Sequence, residues 1–252
     1  MSFKIGLFSI TAATLALSMT APSARASAID PDEVVYPAYA ELGETSLEFR
    51  QGRHFGKTLG GQAGGVVELE HNFSDLYTGS ILAAWSKAPG ESAKVEAISS
   101  ENIFYLGVIP KLDIETAGYV EYQQGIRGQA GGVEAKALFT KRSEAFEARL
   151  NLIYERWFSA HGARNDWSYA ASVDFPVRPA LRLGAEAFGE IEQDGTWGGR
   201  TTHLVGPVAK YTLNGVPHVG VKFEAAYLFP VGTASRDTNG QVRLMVELEK
   251  RW

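Results

Sequence analysis

The chain has 252 residues, no cysteine and a formal net charge of −5 at pH 7. Disulfides, thiolate metal sites and lipid attachment to an N-terminal cysteine are therefore excluded. The acidic balance disfavours a nucleic-acid binder, which carries a basic face, and a chain of this length can bury a core without covalent staples.

The first predicted element is a leader rather than part of the fold. Lys4 gives a short positive region, residues 5–19 an apolar one, and "APSARA" small residues at Ala24 and Ala26. This is the layout of a secretory signal peptide over residues 1–26, with cleavage expected after Ala26. The apolar run is shorter than the ~20 residues a spanning helix needs. Its removal takes away Lys4 and Arg25 and no acid, so the remaining chain is more acidic still. Residues 27–42, "SAIDPDEVVYPAYAEL", read as an acidic lead-in broken by prolines, ahead of a body at 43–252. No later stretch has 18 consecutive apolar residues. Two classes remain for an exported chain of this kind: a soluble domain, or a β-barrel, whose signal per segment is much weaker than that of a helix.

From residue 44 a period of two takes over. A run at 44–54 carries Glu48 and Arg50. In 66–73, Val67, Leu69, His71 and Phe73 alternate with Val66, Glu68, Glu70 and Asn72. Runs at 76–87 and 94–106 come next; the second fits alternation worst, and a bulge or bend is expected in it. In 111–122, Leu112, Ile114, Val120 and Tyr122 oppose Lys111, Asp113, Glu115 and Glu121. The run at 129–140 carries Glu134 and Lys136. The cleanest case is 145–158, "AFEARLNLIYERWF": Phe146, Ala148, Leu150, Leu152, Tyr154 and Phe158 fall on one face, and Glu147, Arg149, Asn151 and Glu155 on the other. A helix would mix these sets, whereas a strand separates them. Its 14 residues exceed the ~9–11 that a tilted strand needs to cross a bilayer.

The remaining runs keep the rule. In 167–175, Trp167, Tyr169, Ala171, Val173 and Phe175 oppose Ser168, Ser172 and Asp174. In 181–191, Leu181, Leu183, Ala185 and Ala187 oppose Arg182, Glu186 and Glu190, with Phe188 intruding on the polar side. A run at 201–212 precedes 219–229, where Val219, Val221, Phe223, Ala225, Tyr227 and Phe229 oppose Lys222 and Glu224. The terminal "VRLMVELEKRW" sets Leu244, Val246, Leu248 and Trp252 against Arg243, Met245, Glu247 and Glu249. About twelve strands result.

Short turn-like connectors ("NFSDLY", "GVIPKL", "TKRSEA", "PVRPAL", "LNGVPH") alternate with mostly longer, Gly-rich polar ones ("GKTLGGQ", "KAPGESAK", "SAHGARND", "QDGTWGGRT", "PVGTASRDTNG"), with "GIRGQAGG" the short exception. Short turns on one side and longer loops on the other are the arrangement of an outer-membrane barrel. The aromatics separate accordingly. Phe73, Phe139, Phe146, Phe175, Tyr211 and Trp252 fall near the turns, and Trp85, Phe158, Trp167 and Phe229 near the loops. Two such belts are expected where strands cross both interfaces. The predicted fold is all-β: a transmembrane antiparallel up-and-down β-barrel of about twelve strands. A short echo, "QAGGVVE" (62–68) and "QAGGVEA" (129–135), reads as glycines that relieve crowding or mark bulges near the rim. No helix follows either pair, as a phosphate-binding loop would require.

Residues 180–252 carry a resemblance. "LRLGAEAFGEI", "HLVGPVAKYTL", "HVGVKFEAAYLFPVG" and "VRLMVELE" resemble the C-terminal half of an outer-membrane transporter and porin-like family named for the meta-pathway of phenol degradation. The resemblance implies an outer-membrane barrel concerned with passage of small molecules, and implies no catalytic residues. The terminal strand resembles the assembly signal of such barrels, which implies the barrel-assembly machinery and outer-membrane lipid as partners. Lys250 departs from that signal; its stem could lie along apolar surface with the amine at the headgroups.

The polar faces then point to the lumen. They comprise Glu68, Glu70, Glu115, Glu121, Glu134, Glu147, Arg149, Glu155, Arg182, Glu186, Glu190, Lys222, Glu224, Arg243 and Glu247 as candidate lining residues. Buried charges must pair or meet water. The lumen is therefore either a wet, acid-lined passage for cations or small polar and aromatic solutes, or an interior filled by ion pairs. The second option leaves function to the outer loops, with Trp197 a candidate contact. No Ser–His pair at i, i+2 and no G-x-S-x-G elbow is present, and no paired-His spacing, so neither an enzyme, a cofactor nor a dedicated metal site is expected.

Overall fold

The computed structural model describes residues 30–159, 162–193, 196–197, 202–216 and 218–251. The expected leader, Trp252 and the side chain of Trp197 lie outside them. Twelve long strands alternate in direction and close into a ring: β1 (Glu44–Phe55), β2 (Ala63–Ser74), β3 (Tyr77–Lys87), β4 (Lys94–Ile109), β5 (Ile114–Gly125), β6 (Gly131–Arg142), β7 (Glu147–Ser159), β8 (Gly162–Arg178), β9 (Leu181–Gln193), β11 (Thr202–Val216), β12 (Val219–Gly232) and β13 (Gly240–Arg251). A two-residue strand, β10 (Thr196–Trp197), folds back on the end of β9. The ring closes where β1 pairs antiparallel with β13, from Glu44 opposite Arg251 to Phe55 opposite Gly240. A closed ring leaves no unpaired strand edge, which is what permits a sheet to sit in lipid.

Closure fixes the faces. Leu47, Leu69, Ile81, Ile98, Val120, Leu183, Leu244 and Leu248 are exposed on the outside. Arg50, Glu68, Glu101, Asn151, Glu155, Asp174 and Glu186 are buried inside. A soluble sheet would bury the first set and solvate the second. Aromatic rings meet at both ends: Phe73 stacks on Tyr77 and Tyr77 on Phe104 at the turn end, whereas Tyr154 is tilted against Trp167 and Tyr227 meets Phe229 edge-on at the loop end.

β4 has the irregularity its broken pattern predicts, in the form of two register shifts. Ala84 and Trp85 pair with Ala97 and Val95, skipping Glu96. Tyr105 and Gly107 pair with Ala117 and Thr116, skipping Leu106. Each extra residue reverses the facing of the residues beyond it, so Val95 and Ile98 both reach the outside. The second glycine of each echoed pair lies opposite a tryptophan. A Cβ on Gly65 would meet the Trp85 ring, and one on Gly132 the Trp157 ring. The indoles cover the bare backbone, so crowding rather than a ligand explains the glycines.

One connector is corrected. The composition of "SAHGARND" predicts a long loop, but β7 and β8 continue pairing through it to Ser159 opposite Gly162. Arg164 and Asp166 alternate with Ala163 and Asn165 and pair with each other at 2.6 Å, so the segment still has a strand's period.

Apolar outer residues at mid-strand should be the least tolerant of charge. Ile81→Arg is expected to lower stability in bilayers by about 2–4 kcal/mol, and Phe73→Arg near the turn rim by about 0–1. Urea titration of the refolded barrel in vesicles measures both; equal costs would contradict this placement.

Candidate functional site

The lumen is built from alternate residues of the strands, and the lead-in lies inside it. Residues 30–41 do not precede the barrel as a separate arm. They run down its interior, from the level of Gly52 to the turn end where β1 begins. Val35 and Tyr36 are buried on opposite sides of this extended segment. Val35 packs with Ile153, Ala170, Phe188, Leu204, Val208, Ala226 and Leu228. Tyr36 and Ala38 pack with Ile103, Ala117, Tyr119 and Leu138. Phe188, which breaks the alternation of β9, thus has its reason: it is a wall of this interior core, only 1% exposed.

Polar contacts hold the segment along its length. The Asn151 side chain accepts from the Tyr36 amide at 2.7 Å and donates to the Tyr36 carbonyl at 3.0 Å. Thr140 accepts from the Ala38 amide at 2.8 Å. Arg149 donates to the Val35 carbonyl at 3.1 Å. Arg243 donates to the carbonyls of Asp30 and Glu33, with its guanidinium 3.7 Å from the centre of the Phe188 ring. These bonds satisfy backbone groups that have no sheet partner, as burial demands. Lys136 pairs with Glu33 at 2.8 Å and sits against the Tyr36 and Tyr119 rings. Gly52 makes room, since a Cβ there would meet Pro31.

All fifteen lumen candidates lie on inward-facing positions, and they divide by partner. Glu68 pairs with Arg50 at 2.7 Å, beside Glu48 and Glu101, so one guanidinium faces three carboxylates. Glu134 pairs with Lys136, Glu147 with Arg149, Arg182 with Asp174, and Glu224 with Lys210. Glu247 pairs with Lys222 at 3.6 Å. Glu121 accepts from Tyr119, and Glu190 from Thr202. Glu115 pairs with Arg142 at the turn rim, where Arg142 also covers the lead-in's Tyr39. Glu155 and Glu121 border a cavity of about 70 Å³ towards the loops, and Glu186 borders a smaller one beside Arg243. Glu70 borders the largest of the three, about 280 Å³ at the turn end; among the described residues it makes no ion pair within 4 Å, though the Lys222 charge bears on it.

Sequence reasoning missed Glu44, Glu101, Lys210, His54 and Gln241, and the place of the lead-in inside the ring. Glu101 was hidden by the irregularity of β4. The lead-in has no period to read; its only signal was that Val34, Val35, Tyr36 and Tyr39 are too apolar for a solvated arm. Glu44, Glu247 and Glu249 bring carboxylates within 4.8 Å of one another; Lys222 is shared by Glu247 and Glu249, and Arg251 pairs with Glu44.

No family model matches the chain, and no curated protein matches it. Solved structures do. An outer membrane channel from Pseudomonas putida F1 superposes with a TM-score of 0.57 at 13% identity, over 89% of this chain and 100% of that one. The NanC porin gives 0.53 at 12%, over 82% and 100%. The KdgM porin in complex with disordered oligogalacturonate gives 0.51 at 11%, over 82% and 99%. At such identities the likeness is one of fold: a closed outer-membrane-type barrel. The resemblance of residues 180–252 to the phenol meta-pathway family rests on its own motifs.

Lys136→Met would leave Glu33 and Glu134 buried without their cation, at an expected cost of about 3–5 kcal/mol. A double-mutant cycle with Glu33→Gln, read by denaturant unfolding, isolates what ties the lead-in to the wall. A coupling near zero would show that the ion pair does not hold it.

Proposed function

We propose that this chain is an outer-membrane channel for small cations and small polar solutes, with a passage narrowed by its own lead-in. The carrying observation is the imbalance of charge inside a closed ring. Among the described residues, inward carboxylates outnumber inward cations, Arg50 alone facing three. Such groups need mobile counter-charge or bound protons, and water must reach them. A carboxylate-lined passage concentrates cations by its field. The solved barrels of similar fold are named as channels and porins, which supports the class.

The lead-in sets the size of the passage. A cavity of about 280 Å³ at the turn end holds several waters, at roughly 30 Å³ each. Towards the loops the free space falls to about 70 Å³. With the lead-in in place, ions and very small solutes fit and bulky ones do not. In this reading the chain is exported through a cleaved leader. The turn end faces the periplasm, the apolar outer face contacts lipid, and the assembly machinery reads the terminal strand. The filled upper lumen favours one second reading, a non-conducting barrel that acts through its loop end.

Planar-bilayer recordings decide between them. The intact protein should give small discrete conductance steps that prefer cations. Deleting residues 30–41 should raise the step several-fold, since pore area grows once the segment is gone. Glu70→Gln should lower cation preference by about twofold. A deletion variant that still shifts on boiling in gels, yet passes no current, would sink the channel reading and leave the loop reading.

A further inference from the structure

Backbone pairing sets many of the inner acids in a single row. Residues directly opposite in an antiparallel ladder share a face, so a line of such partners crosses the wall one strand at a time. Glu249 of β13 stands opposite Ser46 of β1, Ser46 opposite Glu70 of β2, and Glu70 opposite Ser80 of β3. Ser80 faces Glu101 of β4, and Glu121, Glu134, Glu155 and Asp166 follow on β5 to β8. Each strand from β13 round to β8 thus contributes a carboxylate or a hydroxyl, and no lysine or arginine interrupts the line. The row begins two residues from the turn end of β13 and ends four residues from the loop end of β8. Neighbouring strands lie ~4.8 Å apart and barrel strands tilt by about 40°, so the row rises by about 25 Å, the height of the apolar band outside.

The row joins two cavities. Ser46 and Glu70 line the one of about 280 Å³, and Glu101, Glu121, Glu134 and Glu155 line the one of about 70 Å³. Ser80 stands between them and donates to Glu101 at 3.2 Å. Like charges directly opposite on neighbouring strands repel, and the cations beside the row are divided. Arg50 is 3.7 Å from Glu101 but is shared with Glu48 and Glu68. Lys136 pairs with Glu134 but is shared with Glu33. Glu70 and Glu121 make no ion pair within 4 Å among the described residues, though Lys222 bears on the first and Lys136 on the second. The smaller cavity adds an independent sign of its contents. Two buried donors on its wall, Arg50 Nε and Trp157 Nε1, meet no acceptor among the described residues, and Arg50 is only 7% exposed. Donors and carboxylates on one wall suit a hydrated cation: water oxygens accept from the donors, and the ion faces the carboxylates.

We infer that this row is the route of small monovalent cations, which pass along the wall from carboxylate to carboxylate while the lead-in stays in place. The inference rests on the channel reading above and names its path. Carboxylate and hydroxyl oxygens replace part of the ion's water at each step, and a spacing of ~4.8 Å lets one group take hold before the last lets go. The lead-in closes the lumen side of the route. Its Tyr36 hydroxyl donates to Glu101 at 3.1 Å, and its Glu33 holds Lys136 beside Glu134.

The chain has no cysteine, so Ser80→Cys places one thiol at the neck between the cavities. Silver, a monovalent cation that binds thiols, reports whether ions pass there. In planar bilayers of the full-length protein in potassium nitrate, silver should cut the Ser80→Cys current about tenfold or more. It should leave the current of Ser172→Cys within about twofold, because Ser172 lies on the inner face of β8 outside the row. Glu121→Gln keeps an acceptor for Tyr119 and should lower potassium conductance about threefold; it serves where Ser80→Cys loses its shift on boiling in gels. A Ser80→Cys current that ignores silver overturns the route, as does equal block of both serine variants or an unchanged current in Glu121→Gln. In each of those cases current still flows, so the channel reading stands. No current from the unaltered protein overturns both.

Discussion

Ring closure is the constraint on which the rest of the structure depends. Once β1 is bonded to β13, each of the twelve long strands has two neighbours and no residue can choose its face. One set of alternate residues meets lipid, and the other meets a narrow interior. The outer set is solved cheaply by leucine, isoleucine and valine. The inner set is a problem in electrostatics, because carboxylates on facing strands are brought together in a narrow interior where each needs a cation, a proton or water.

The interior is settled by three devices acting at different heights. At the turn end, cations on β9, β11 and β12 (Arg182, Lys210 and Lys222) pair with acids across strands beside the cavity of about 280 Å³. At mid-height, Arg50 gathers Glu48, Glu68 and Glu101, and Lys136 gathers Glu33 and Glu134. Above and between them, the lead-in supplies what the wall lacks: an apolar centre and a row of backbone groups that accept and donate. Val35 and Tyr36 give this small barrel a hydrophobic core of the kind a soluble protein has, inside a polar wall. The lead-in is thus both structural filler and obstruction, and the same bonds that stabilise the lumen narrow it.

Legibility followed periodicity. β7 could be read from its pattern because residues 147–152 alternate without a break and its pairing with both neighbours has no register shift. β4 could be located but not oriented, since bulges at Glu96 and Leu106 exchange its faces and hid Glu101. Phe188 looked like an error of pattern and is instead a contact with a segment about 150 residues earlier in the chain. Asn151 looked like one more polar lumen residue, yet its amide is the clamp on Tyr36. No local signal marks such roles, because the partner lies in a stretch with no period of its own.

By itself the sequence determined the barrel class, a count of about twelve strands and, wherever the alternation is unbroken, which residues share a face. These depend on local geometry: a strand's side chains alternate whatever surrounds them. Only the tertiary structure decided that residues 30–41 lie within the ring, which carboxylate meets which cation, and that His54 is joined through Gln241 and Arg243 to the lead-in. Those depend on distances across the lumen. The strand pattern fixes the direction of each side chain but not what stands opposite it.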